Sequence, residues 1–222
     1  MPNISHNKLN HILSAQNNAL GIVAADAPLI ESLNKICLLL ESSLLDSHTY
    51  VSISLNKEQN LHCECAPNLP VDCIAAIKEG QAQPNPTSDS IFSNIAVTTL
   101  NSNNNEHWPK TQSILQSLGI LSCVSWPIIC DPEQVLGSLD LYFKKGKTPN
   151  SLETALIQHF AQIAAVTIEK NRNHLKQQKL IQSIQSTNQR MKAISQLIPD
   201  LMFVLSSDGT IEDLFGGNNS LL

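Results

Sequence analysis

From Gly119 to Lys145 the chain reads GILSCVSWPIICDPEQVLGSLDLYFKK, two apolar runs rich in β-branched residues separated by Cys130-Asp131-Pro132-Glu133-Gln134. Such runs fit a pleated, buried surface, and a short polar turn between them makes them antiparallel neighbours. A long helical pattern follows at once. No proline or glycine interrupts Ser151 to Ile198, and Leu152, Leu156, Ile157, Phe160, Ile163, Ala164, Val166 and Ile168 recur at the spacing of one helix face. Ser151 is placed to cap this helix, with Glu153 in its first turn. A hairpin feeding a long helix predicts an α+β fold: an antiparallel sheet flanked by helices, with one long helix after the last strand.

The preceding residues supply the rest of such a sheet. Met1 to Gly21 is polar and reads as irregular, with a short helix near Lys8–Gln16. Leu29, Ile30, Leu33, Ile36, Cys37 and Leu40 mark a helix over Ala27–Leu45. Across His48–Leu55, Tyr50, Ser52 and Ser54 alternate with Val51, Ile53 and Leu55, the pattern of a half-buried strand. A turn over Asn56–Asn60 leads to a second strand over Leu61–Ala66. Short helices are expected over Pro70–Glu79, ended by Gly80, and over Pro109–Leu118, ended by Gly119. Between them lie a proline-bearing loop over Gln81–Asp89, a short helix near Ile91–Ser93, a strand over Ile95–Thr99 and a polar loop over Asn101–Asn105.

Beyond Gln177 the helical pattern narrows. Leu180, Ile184, Thr187, Met191, Ile194 and Ile198 recur in alternating steps of four and three, the heptad seam of a coiled coil. Pro199 ends it. Leu201–Leu205 and Thr210–Leu214 then read as strands joined by Ser206-Ser207-Asp208-Gly209. A lone hairpin buries no core, so the expectation is a fragment cut inside a second domain. The domain layout expected is an N-terminal extension over 1–25, a main domain over 26–172, a coiled-coil-like linker over 173–198 and the start of another domain over 199–222. Leu180, Ile184, Met191 and Ile194 are the residues expected to join two copies into a homodimer.

The chain of 222 residues is 42% hydrophobic but only 4% aromatic, so aliphatic side chains must build its core. A net charge of −5 argues against a nucleic-acid partner, which needs a basic face. No apolar run of about 18 residues occurs, and no membrane partner is expected. The first residues lack the apolar stretch of a signal peptide, so the expected location is the cytoplasm. Six scattered cysteines then read as free thiols. His62-Cys63-Glu64-Cys65 invites a metal reading, but strand alternation puts His62 and Glu64 on one face and the two thiols on the other. No second pair stands at zinc-site spacing, so neither a metal nor any other cofactor is expected. No Ser-His-Asp or paired-carboxylate arrangement stands out, and the chain is not expected to be an enzyme.

The ordered set of motifs resembles the GAF domains of bacterial signalling proteins, over about Ala27–Asn171. It rests on Ser52-Ile53-Ser54-Leu55; on Ala66-Pro67-Asn68-Leu69-Pro70 with Ile74-Ala75-Ala76-Ile77; on His107-Trp108-Pro109 with Leu118-Gly119-Ile120; and on Ser122-Cys123-Val124-Ser125-Trp126-Pro127-Ile128 with Val135-Leu136-Gly137. Ile198-Pro199-Asp200-Leu201-Met202-Phe203-Val204-Leu205, with Asp208-Gly209-Thr210-Ile211, is similar to the opening of a PAS domain. The resemblance implies a sensory module that binds a small ligand and relays a signal through a dimeric helix to output domains. Those would be GGDEF and EAL domains that turn over cyclic-di-GMP, or else a histidine kinase. The full-length protein would then be the enzyme. The pocket implied lies between the sheet and Gln81–Leu118, with Phe92, Ile95, Trp108, Cys123 and Ser125 as its wall; the same residues could simply fill a core.

The chain departs from the family where Pro86-Thr87-Ser88-Asp89-Ser90-Ile91-Phe92 replaces a glycine-rich, cysteine-bearing loop. That favours a second expectation, a GAF domain that only dimerises. No cysteine precedes a histidine as bilin attachment would want. Free methionine sulfoxide reductases share the fold, but their pocket-loop cysteine is missing here. Without an arginine or a glycine-rich loop, a phosphorylated ligand has no obvious anchor.

Overall fold

The computed structural model describes residues 14–15, 17–44, 49–57, 60–80, 97–100, 111–131, 134–144, 147–197 and 202–215. Helix α1 covers residues 17–24, α2 Leu29–Ser43, α3 Val71–Gly80, α4 Thr111–Ser117 and α5 Ser151–Leu197. The strands are β1 Thr49–Lys57, β2 Asn60–Cys65, β3 Val97–Leu100, β4 Ser122–Asp131, β5 Gln134–Phe143, β6 Met202–Leu205 and β7 Ile211–Phe215. Two compact units result, Met1–Asn171 and Arg172–Leu222.

The first unit is an α+β domain built on a five-stranded antiparallel sheet in the order β2-β1-β5-β4-β3. The β4–β5 hairpin read from Gly119–Lys145 is its centre. One sheet face carries Val51, Ile53 and Leu55 of β1, Leu139, Leu141 and Phe143 of β5, and Val124, Trp126 and Ile128 of β4. These pack with Leu33, Ile36, Cys37 and Leu40 of α2 and Leu156, Ile157, Phe160, Ala164 and Ile168 of α5 into the main core. Burying a side chain of this size is worth roughly 1.5–3 kcal/mol.

Residues 17–21, expected to be irregular, are helical as part of α1, and Ala15 and Ala19 are buried in that same core. Their small side chains, set among asparagine and glutamine, give no apolar stripe to read, yet suit close helix packing. Lys170 Nζ donates to the carbonyls of Val23 and Ala25, both at 3.0 Å, satisfying backbone acceptors at the end of α1.

Local capping follows the sequence closely. Gly119 has φ 73°, its N–H bonds Gln116 O at 2.9 Å, and Ile120 N–H bonds Leu115 O at 2.9 Å, a Schellman stop for α4. At α5 the cap is Asn150 and not Ser151. Asn150 Oδ1 accepts from the N–H groups of Leu152 and Glu153, each at 3.0 Å, and Glu153 Oε2 accepts from Asn150 N–H at 3.0 Å, a reciprocal capping box. Serine and asparagine cap almost equally well, so two adjacent candidates are separated only by where the loop enters.

In the second unit, β6 and β7 pair antiparallel around the predicted Asp-Gly turn. Asp208 accepts from the hydroxyls of Ser206 and Thr210 and from Thr210 N–H, and these bonds pull its carboxyl down to about 2. Gly209 takes φ 84°, which a side chain would resist.

Candidate functional site: a buried polar sheet face

The opposite face of the sheet is the unexpected feature. Alternation along β1 reads as one apolar and one polar side, with the polar side open to solvent. The structure keeps the alternation and buries both sides: Ser52 is 0% and Ser54 1% exposed. Register then stacks polar residues across the central strands. Ser52 stands opposite Asp140, Asp140 opposite Ser125, and Ser54 opposite Ser138. Ser125 and Ser138 are buried, as is the Asp140 carboxylate, 1% exposed.

These side chains bond to one another. Ser125 Oγ donates to Asp140 Oδ1, and Ser138 Oγ at 3.0 Å and Ser54 Oγ at 3.4 Å donate to Oδ2. Ser52 Oγ donates to the Tyr142 hydroxyl at 3.4 Å. Removing a carboxylate from water costs several kcal/mol, and hydrogen bonds to a charged acceptor return roughly 1.5–3 kcal/mol each. These hydroxyls therefore help to make a carboxylate tolerable at this depth.

A second apolar cluster closes one end of the face. Leu69, Cys73, Leu115, Ile120, Cys123 and Tyr142 pack together, with Ile74 and Ile77 of α3, Ile114 of α4 and Leu118 just after it against them. Of the residues expected to wall a pocket, Cys123 and Ser125 lie on this face two positions apart, as alternation predicts. Phe92, Ile95 and Trp108 lie outside the described residues. Asp140 was not singled out from sequence, although its signal was there: Ser138 and Asp140 alternate with Leu139 and Leu141 inside an otherwise apolar strand.

The thiols are placed differently from the sequence reading. The β1–β2 register pairs Ile53 with Cys65 but Ser54 with Cys63, so a bulge at Glu64 interrupts the alternation. Cys65 joins the main core, its Sγ 3.7 Å from Ile30 O, while Cys63 is opposite Ser54 on the polar face. The two thiols expected to share a face lie on opposite ones. Burial pushes the Cys63 thiol up to about 11, with the Asp140 charge adding to it, and burial pushes Cys65 up to about 12. Burial first, and then the same carboxylate, hold Cys123 and the Tyr142 phenol well above their usual values. Protonated, enclosed thiols are poor nucleophiles. Among the described residues, no three of His, Cys, Asp and Glu gather as metal ligands.

Strand β4 is tied to α5 through Ser122, which lies opposite Phe143 on the main-core face. Ser122 Oγ donates to Lys147 O at 3.1 Å and accepts from Lys147 N–H at 3.2 Å, and Lys147 Nζ pairs with Glu153 Oε1 at 2.6 Å. The strand carrying Ser125 thus holds the residue that leads into the capping box of α5.

A family model described as the GAF domain matches residues 28–168. The GAF domain of a phosphoenolpyruvate-protein phosphotransferase from Coxiella burnetii is similar at 15% identity and TM-score 0.60, over 76% of this chain and 98% of that one. A GAF domain/HD domain protein from Geobacter sulfurreducens matches at 13% identity and TM-score 0.54, over 65% of this chain and 95% of that one. A type II free methionine-R-sulfoxide reductase from Thermoplasma acidophilum matches at 14% identity and TM-score 0.50, over 64% of this chain and 96% of that one. At these identities the likeness is one of fold. No curated protein matches the chain.

Proposed function

The chain belongs to the GAF domain family, and from that premise we propose that it is a sensory or regulatory module. It reads a small molecule at the polar sheet face and passes the change to α5. The observation that carries this is the buried set of Ser52, Ser54, Ser125, Ser138 and Asp140 on a face separate from the main core. A sheet needs only one apolar face to hold α2 and α5. Burying a carboxylate and four hydroxyls on the other costs stability that a purely structural face avoids, and small-ligand sites use a few such groups among apolar neighbours. Cys123 and Ser125 belong to the wall, with Phe92, Ile95 and Trp108 its proposed remainder. The module itself performs no reaction, consistent with thiols held protonated by burial.

The proposed layout is a sensory domain over 26–172, a linker over 173–198 and the start of a PAS-like domain from 199. Two copies pair through the seam of α5, where Leu180, Ile184, Met191 and Ile194 are 62%, 52%, 55% and 56% exposed at heptad spacing. Ligand binding that favours one packing of this helix pair shifts its population. In the longer protein the output proposed is cyclic-di-GMP turnover, with a sensor histidine kinase as the alternative; both rest on the sequence resemblance.

A second reading is favoured by Pro86–Phe92, which lacks the glycines of the related loop: a scaffold that dimerises and binds nothing. Melting curves against a broad small-molecule library separate the two. A saturable rise of several degrees with one compound, lost in Ser125→Leu, supports sensing; no shift anywhere leaves the scaffold.

A further inference from the structure

We infer that residues 172–197 of α5 dock an acidic amphipathic helix of another protein, which covers the apolar seam and answers a row of cations beside it. The inference rests on the reading above that this seam packs against another helix, and it names the chemistry of the helix that fits. Five of the chain's 14 Lys and Arg lie in this stretch, Arg172, Lys176, Lys179, Arg190 and Lys192, and none of its 19 Asp and Glu. The net charge of −5 averages this local excess away. Residues 173–194 are exposed throughout. A helix built only to face water interleaves the two signs, as α2 does in its Glu31–Lys35 pair at 2.6 Å. Here Arg172 and Lys176 stand four residues apart, and Lys176 and Lys179 three, so like charges neighbour one another and oppose the helix that carries them.

The row is one-sided. Lys179 and Arg190 stand one residue before the seam positions Leu180 and Met191, and Lys176 is one turn before Lys179 on the same flank. The opposite flank, one residue after the seam, carries Ile181, Gln185 and Asn188, with Lys192 as its one cation. Residues beside a coiled-coil seam set which helix the seam accepts. A second copy answers this row poorly. In parallel it offers the flank of Ile181 and Asn188, and in antiparallel it offers the same cations. A helix with apolar residues at heptad spacing and Asp or Glu on the facing flank meets both needs. It covers Leu180, Ile184, Met191 and Ile194, exposed by 62%, 52%, 55% and 56%, and pairs with the cations beside them. A nucleic acid would engage the cations and leave the apolar stripe in water. A helix that lies in a lipid surface is anchored by residues such as Trp and Phe, and residues 172–197 contain no aromatic side chain.

The probe is a synthetic four-heptad peptide with Ile and Leu in its seam and Glu on both flanks, beside a matched peptide with Lys in place of every Glu. Each is titrated against the whole chain by calorimetry, with vesicles of phosphatidylcholine and phosphatidylglycerol and a short DNA duplex as further arms. The expected result is saturable binding of the Glu peptide alone. Joint replacement by Lys176→Glu, Lys179→Glu and Arg190→Glu should weaken it by about tenfold or more and make the chain take the Lys peptide instead. Equal affinity for the two peptides, or Glu-peptide affinity unchanged by the charge reversal, overturns the inference. So does vesicle or duplex binding at least as tight as the peptide's, and so does the absence of binding in every arm. Far-UV circular dichroism checks that the reversed variant folds; if it does not, the parent's affinities for the two peptides decide. Light scattering keeps this inference apart from self-pairing. A dimer that the Glu peptide does not enter sinks the inference and leaves self-pairing, while a monomer that binds the peptide does the reverse.

Discussion

Gly137 is the position at which the sheet tolerates least. It sits opposite Leu55 of β1 and Ile128 of β4, beside a register shift between Ile128 and Ile129. A Cβ built there falls 2.0 Å from the Ser54 carbonyl oxygen and 3.1 Å from Leu55 Cα. Carbon and oxygen ordinarily meet at about 3.3 Å, so Gly137→Ala must push β1 and β5 apart by roughly 1.3 Å. Ladder bonds near 2.9 Å do not survive that displacement. Overpacking of a backbone contact costs about 1–3 kcal/mol and each lost bond about 1 kcal/mol, for a total of about 4 kcal/mol. In a domain of this size that lowers the melting temperature by roughly 8–16 °C. Gly21→Ala is the control of opposite sign, since nothing lies within 4 Å of its added Cβ and the residue is helical and exposed; it should be neutral or stabilise by roughly 0.5–1 kcal/mol. Urea unfolding followed by circular dichroism measures both. A loss below about 1 kcal/mol for Gly137→Ala would show that the strands do not approach this closely and would refute the argument.

Other outcomes follow from the same contacts. Of six cysteines only Cys130 is exposed, so a thiol reagent at pH 8 should titrate one equivalent quickly and the rest at the rate of unfolding; two fast equivalents contradict the burial. Asn150→Ala removes the cap of α5 and should cost about 1 kcal/mol, against a few tenths for Ser151→Ala; the reverse order of urea midpoints would restore Ser151 as the cap. Glu41, which accepts from Val51 N–H and the Asn68 amide, is raised by burial despite both bonds. A carboxyl raised in the folded state binds more protons there, so its stabilising share is complete below the unfolded pKa and lost as pH rises through the folded one. Stability between pH 7 and 5 should gain less on acidification in Glu41→Gln than in the parent, and equal slopes would remove the effect. Ile184→Glu with Met191→Glu should halve the mass seen by light scattering; a parent that is monomeric at high concentration would eliminate the proposed seam.

The sheet was readable because two signals coincide in it. β-Branched alternation marks strands and Gly119 marks a helix stop, and both act over a few residues. What local pattern does not carry is what covers a face. Ser52 and Ser54 alternate as a solvent-facing row would, and it is packing between segments distant in sequence that makes them interior. Asp140 escaped notice for the same reason, since a lone carboxylate in a strand gains meaning from Ser125 and Ser54 brought beside it from distant sequence. The bulge at Glu64 escaped because it is a property of pairing with β1: Cys63 and Cys65 look equivalent along β2 and are not equivalent across it. Ala15 and Ala19 show a third limit, in which helix contacts made by the smallest side chains leave no amphipathic trace.

The paired hydrogen bonds between Ser122 and Lys147 tie β4 to the residues that enter α5. One hydroxyl grips both backbone groups of a single residue, and that residue's ammonium grips Glu153 inside the first turn of α5. Through Lys147 these contacts couple β4 to the first turn of α5. Ser122→Ala removes two of these fastenings and leaves the Lys147–Glu153 pair, so the link between β4 and the entry to α5 weakens.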